Sequence, residues 1–121
     1  MEFQNGKSIF LQIADTITDK VISGEFQAGT KIPSVRELAA EMGVNPNTIM
    51  RTYSELQSMQ IIENKRGIGY FVNPEAPRII LENKRQEFFE KILPEFVRHA
   101  EVLGIPSNDL KKHIENFNSA K

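Results

Sequence analysis

Ser34-Val35-Arg36-Glu37-Leu38-Ala39-Ala40-Glu41-Met42-Gly43-Val44-Asn45-Pro46-Asn47-Thr48-Ile49 holds two helix starts with one stop between them. Ser34 with Glu37 reads as a capping box, in which hydroxyl and carboxylate satisfy each other's orphan backbone N–H groups. Val35, Leu38, Ala39 and Met42 form the buried face of this helix, and Gly43 ends it. Asn45 then serves as the next N-cap, with Pro46 at the first helical position. Ile49, Tyr53, Leu56 and Met59 form an inward stripe, leaving Asn47, Thr48, Arg51, Thr52 and Glu55 outside. Two short helices joined by a tight glycine turn are a helix-turn-helix.

Upstream, residues 8–23 predict an amphipathic helix: Ile9, Ile13, Ile17 and Val21 recur every four residues, Phe10, Ala14 and Ile22 widen the stripe, and Gly24 stops it. Lys31-Ile32 suggests a short strand. Downstream, Ile61-Ile62-Glu63-Asn64 and Gly69-Tyr70-Phe71-Val72 predict two strands linked by Lys65-Arg66-Gly67-Ile68, a hairpin tip bearing two adjacent cations. Asn73-Pro74-Glu75-Ala76-Pro77 is a stiff break. It divides a winged-helix domain, residues 1–74, from a helical tail, residues 75–121. In the tail, Leu81, Phe88, Phe89, Ile92, Phe96, Val97, Ala100 and Leu103 keep a helical period that Pro94 must kink or split. A turn at Gly104-Ile105-Pro106 and a cap at Ser107 open a last helix lined by Leu110, Ile114 and Phe117. The fold class is mainly α with a small β-hairpin: a winged helix-turn-helix followed by a short helical dimerisation tail.

Composition narrows the function. At 121 residues the chain lies below the ~150 of a typical domain, so one domain plus an appendage is the ceiling. Zero cysteines remove disulfides, thiolate zinc sites and cysteine nucleophiles. Apolar runs reach only three residues, and Glu2, Lys7, Asp15 and Lys20 break up the N-terminal segment, so the chain reads as cytoplasmic with no membrane partner. His99 and His113 stand in the tail without acidic residues at ligand spacing. Gly67-Ile68-Gly69 is too short and badly placed for a phosphate loop. No catalytic residue, metal or cofactor is expected, and the chain does not read as an enzyme. The net charge is −1 overall, −1 up to Pro74 and 0 beyond it, so any nucleic-acid binding must rest on where a few cations sit.

Lys31-Ile32-Pro33-Ser34-Val35-Arg36-Glu37-Leu38-Ala39, Gly43-Val44-Asn45-Pro46-Asn47-Thr48-Ile49, Arg51-Thr52-Tyr53 with Glu55-Leu56, and Gly67-Ile68-Gly69-Tyr70-Phe71-Val72 follow one another at a specific spacing. Over residues 8–72 the chain resembles the GntR-family bacterial transcription regulators, and Asn-Pro-Asn-Thr with a short helical tail resembles the YtrA-like subfamily. The resemblance implies a homodimeric repressor of double-stranded DNA whose tail dimerises, a type often encoded beside ABC transporter genes. It also implies that Arg36 enters the major groove, where its guanidinium fork matches guanine O6 and N7. Many relatives outside the subfamily carry arginines where Pro46 and Met50 stand, so those base contacts are missing here.

The expected DNA-binding residues are Ser34, Arg36, Asn45, Asn47, Thr48, Arg51, Lys65, Arg66 and Gly67, and the dimerisation residues are Phe88, Phe89, Ile92, Phe96, Val97 and Leu103. Several of the DNA-binding residues have a competing use. Arg36 pairs with Glu37 or Glu41, Asn47 and Thr48 merely cap, Arg51 bridges to Glu55, and the hairpin tip is simply solvated. At the level of function the alternatives are a winged helix for protein–protein contact and a ligand-sensing regulator. The latter would place its pocket at a dimer interface, because so short a tail offers little volume for the ~300 Å3 of a small-molecule site. The motifs specify neither an operator nor a small-molecule effector.

Overall fold

The computed structural model describes residues 7–119. Glu2 and the outer ends of both expected domains, residues 1–6 and 120–121, lie outside the described residues. Helix α1 spans Ile9–Ser23, α2 Val35–Met42 and α3 Pro46–Ser58; strands β1 and β2 span Ile62–Lys65 and Gly69–Val72. Then come α4 (Ala76–Glu87), a π-helical turn (Phe88–Ile92), α5 (Leu93–Val102) and α6 (Ser107–Ser119).

The capping box forms as its spacing requires. The Ser34 hydroxyl accepts from the Glu37 N–H at 3.1 Å, and the Glu37 carboxylate accepts from the Ser34 N–H at 3.0 Å. Strands β1 and β2 pair antiparallel, with Ile62 opposite Val72 and Lys65 opposite Gly69. The strand suggested at Lys31-Ile32 is a single bridge, Lys31 to Phe71, flanked by bonds from Val72 N–H to Thr30 O and from Ile32 N–H to Tyr70 O. Ile13, Ile17 and Val21 of α1, Leu38 of α2, Ile49, Tyr53 and Leu56 of α3, and Val72 of β2 share one buried core. Each such aliphatic side chain contributes about 1.5–3 kcal/mol, so this shared apolar face outweighs any single cap.

Two expectations about faces change. Thr52, placed outside by its position on α3, is 0% exposed. Its hydroxyl reaches the Phe10 carbonyl on α1 at 3.0 Å and the Thr48 carbonyl at 2.9 Å, so a polar side chain is satisfied at the helix crossing. Ile9 and Ile22, both expected in the apolar stripe of α1, are exposed.

The chain divides into two compact units, the first ending at Glu82 and the second beginning at Asn83. Beyond the break at Pro74, Ala76 and Ile80 of α4 are buried in the core of the first unit. In the second unit the chain passes through Pro94 without splitting. The Leu93 N–H bonds to the Phe88 carbonyl five residues back, giving a π-helical turn just ahead of the proline. Widening that turn eases the crowding between a proline ring and the preceding carbonyls.

Tyr53 is the one large polar side chain of this core. It is fully buried, and its hydroxyl donates to the Pro33 carbonyl at 2.7 Å. Burial, reinforced by Tyr70, Glu37 and Glu41, pushes its phenol above the ordinary value of 10. The neutral phenol thus stabilises the fold below the unfolded value near 10, and that contribution fades as pH rises above it. Tyr53→Phe should cost about 1–3 kcal/mol by leaving the Pro33 carbonyl unpaired, measured by urea unfolding at neutral pH. Repeating the series up to pH 11 should show wild-type stability falling above pH ~10 and the variant lacking that component.

Candidate nucleic-acid interface

The turn between α2 and α3 is set by backbone geometry. Gly43 takes φ 66° and ψ 36°, and its N–H returns to the Ala39 carbonyl, joined there by the Val44 N–H at 3.1 Å. A side chain with a Cβ is disfavoured in this left-handed conformation. Asn45 then caps α3, its Oδ1 accepting from the Asn47 N–H at 2.8 Å. These bonds orient the first turn of α3 and leave Asn47 exposed at its start, with Thr48 half-buried beside it.

Ser34 and Asn45 accordingly have structural duties as caps. The Ser34 N–H, then its hydroxyl, then nearby Lys31 hold the Glu37 carboxyl below the ordinary glutamate range. Arg36 points from the first turn of α2 into solvent and makes no ion pair with Glu37, Glu41 or any other described residue. Arg51 does not bridge to Glu55. Its guanidinium carbon lies over the Phe10 ring, 4.1 Å from the centroid. Pro46 and Met50 are exposed on α3.

In the wing, Lys65 ends β1 with its ammonium 4.4 Å from the Phe71 ring centroid. Arg66 and Gly67 form the exposed tip, closed by the Ile68 N–H to the Lys65 carbonyl at 2.9 Å. Lys31 is a third cation at this edge that sequence reading missed. A Cβ at Gly69 would sit 2.8 Å from the Lys31 Cε, so the lysine stem crosses the hairpin against the Gly69 backbone, whose φ of 137° is strained for a residue with a side chain. The missed signal was the bridge to Phe71, formed by residues far apart in sequence. Phe10 was likewise assigned only to the stripe of α1. With Ser8, Asn47, Thr48 and Arg51 it lines an open groove of about 340 Å3 between the starts of α1 and α3.

In the second unit, Phe88, Phe89, Ile92, Phe96, Val97 and Leu103 are all exposed, Leu103 at 71%. Phe88 and Phe89 meet edge to face at 5.3 Å. Helices α5 and α6 flank an open groove of about 560 Å3 lined by Leu93, Phe96, Val97, Ala100, Leu110 and Ile114. Gly104, at φ 67°, lies in the turn between the two helices.

The sequence pattern described as "Bacterial regulatory proteins, gntR family" matches residues 10–72, from the first turn of α1 to the end of β2. The chain belongs to the GntR family. It is 39% identical over 116 residues to the uncharacterised HTH-type regulator YhcF of Bacillus subtilis, covering 96% of this chain and 94% of that one. It is 32% identical to the HTH-type transcriptional repressor YtrA of the same organism, covering 92% and 85% respectively. A crystal structure of a GntR-family regulator from Bacteroides thetaiotaomicron superposes with a TM-score of 0.82 at 39% identity, over 93% of this chain and 98% of that one. The protein is a DNA-binding transcription regulator with the winged helix-turn-helix of the GntR family. Its likeness to YtrA extends into the tail, beyond the family pattern itself.

Replacing the Asn45 cap tests how the family's second helix is held. Asn45→Ala should lower stability by about 0.5–2 kcal/mol, whereas Asn45→Asp should change it by only a few tenths, because aspartate keeps the accepting oxygen. Urea unfolding of the two variants separates these outcomes.

Proposed function

We propose that this GntR regulator is a homodimeric repressor that binds a pseudo-palindromic DNA operator in the cytoplasm. The observation that carries the DNA reading is the distribution of uncompensated cations. Arg36, Arg51, Lys65 and Arg66 are exposed, and none is in an ion pair with a described carboxylate, although the chain as a whole is slightly acidic. In this reading Arg36 meets a base edge, while Ser34, Asn45, Asn47, Thr48 and Arg51 line the groove side of the helix-turn-helix. Lys65, Arg66 and Gly67 follow phosphates or the minor groove with the wing. A protein–protein winged helix would favour an apolar recognition face. Here Met50 is the one large apolar side chain exposed on α3.

The dimer reading rests on the tail. Among the described residues of the second unit only Ala100 is buried, while Phe88, Phe89, Ile92, Phe96, Val97 and Leu103 remain in solvent within a single chain. Exposed apolar surface of that extent marks an interface. A two-fold dimer presents two recognition helices about 34 Å apart, one turn of DNA, and so calls for symmetric half-sites. The similarity to a protein named as a repressor, YtrA, supports the sign of regulation.

Selection from random duplexes should enrich an inverted repeat. With about 6–10 phosphate contacts, affinity should fall roughly 10³–10⁵-fold between 50 and 200 mM salt. Enrichment of nothing, or affinity indifferent to salt, would defeat the reading. Arg36→Ala should cost about 1–3 kcal/mol and relax preference at one base pair, whereas Arg66→Ala should weaken binding to all operator variants alike. A panel of single-base variants distinguishes the two patterns. Phe96→Asp should convert the dimer to a monomer in sedimentation experiments and weaken operator binding, since the second half-site loses its effective concentration. A wild-type monomer at tens of micromolar would remove the tail from this role.

A further inference from the structure

Phe10 lies in the first turn of α1, where the stripe of that helix calls for a core residue, yet its ring is only half-buried. The Arg51 guanidinium lies over that ring, 4.1 Å from its centroid. The backbone beneath the ring is held as well, because the buried Thr52 hydroxyl reaches the Phe10 carbonyl at 3.0 Å. Thr52 is the next residue after Arg51 on α3. One helix crossing therefore fixes the carbonyl of Phe10 and the Cα from which Arg51 projects, and the ring takes up the arginine between them.

We propose that Phe10 is a positioning residue for DNA recognition, aiming the Arg51 guanidinium across the groove it shares with Asn47 and Thr48. The inference rests on the DNA-binding reading above and adds a residue outside the helix-turn-helix to it. An aromatic face attracts a guanidinium through the ring quadrupole without neutralising its charge. A carboxylate in the same place would cancel the charge that a phosphate or base edge needs. The ring also restricts the rotamers of a long side chain in the free protein, so less freedom is lost when DNA arrives. Its N–H fork stays available for bidentate contact. The sequence offers Glu55 one turn away as a competitor, and the guanidinium lies on Phe10.

The test uses the full-length protein with Phe10→Leu, Phe10→Tyr, Arg51→Ala and the Phe10→Leu/Arg51→Ala double variant. In the DNA-free protein, NMR should show ring-current shifts of the Arg51 side-chain signals that persist in Phe10→Tyr and vanish in Phe10→Leu. Absence of those shifts in wild type overturns the proposal without reference to DNA. On the enriched operator, Phe10→Leu should weaken binding about two- to five-fold, the range of an exposed cation–aromatic contact, and Phe10→Tyr should restore it. Phe10→Leu should alter base preference at the same positions as Arg51→Ala, and the double variant should bind no more weakly than Arg51→Ala alone. Additive losses, or a loss that follows thermal stability rather than base preference, would mean that Phe10 is structural only. If wild type shows the ring-current shifts but enriches no duplex, the DNA-binding reading itself falls, and this proposal with it.

Discussion

The buried phenol of Tyr53 joins three parts of the recognition unit. It projects from α3, its hydroxyl meets the Pro33 carbonyl just ahead of the cap of α2, and its ring meets Tyr70 of β2 edge to face at 4.8 Å. A phenol buried with no acceptor would cost more than its ring contributes, so the loop before Ser34 must bring that carbonyl to it. Once it does, the start of α2, the recognition helix and the wing share one anchor. The described buried side-chain polar atoms of the chain all have partners, which is the condition for a polar group at this position to specify one arrangement.

Around this anchor the cations are held in two different ways. Arg51 and Lys65 rest on the rings of Phe10 and Phe71. In α4, by contrast, Arg78 is bonded to Glu75 and Glu82, both at 3.0 Å. A carboxylate fixes a cation and cancels it; a ring fixes a cation and leaves its charge in place. For a chain of net charge −1, holding cations on rings keeps local positive potential where the recognition helix and wing are exposed.

The second unit follows a different logic. Its helices are regular and capped by turns, but their apolar residues find almost nothing within the chain to cover them. Phe117, on the face that α6 was expected to bury, is 75% exposed. Pro94 is absorbed by one widened turn, so the helix continues and carries Phe88 and Phe89 on the π-helical segment.

Much of this protein was legible because the deciding interactions are local. The capping box at Ser34, the asparagine cap at Asn45, the left-handed turn at Gly43 and the pairing of Gly69–Val72 with the strand before it each depend on neighbours a few residues apart. The tertiary structure alone decided the rest. Periodicity placed Thr52 on the outer edge of α3, whereas its hydroxyl could be buried only because α1 supplies a carbonyl 42 residues away. Arg51 had Glu55 as its sequence neighbour and took Phe10, and Lys31 reached the wing through a bridge to Phe71. Past the break at Pro74, Ala76 and Ile80 found places in the core. Local spacing dictates backbone conformation, but the partner of a long or ambivalent side chain depends on which distant surface the fold brings against it.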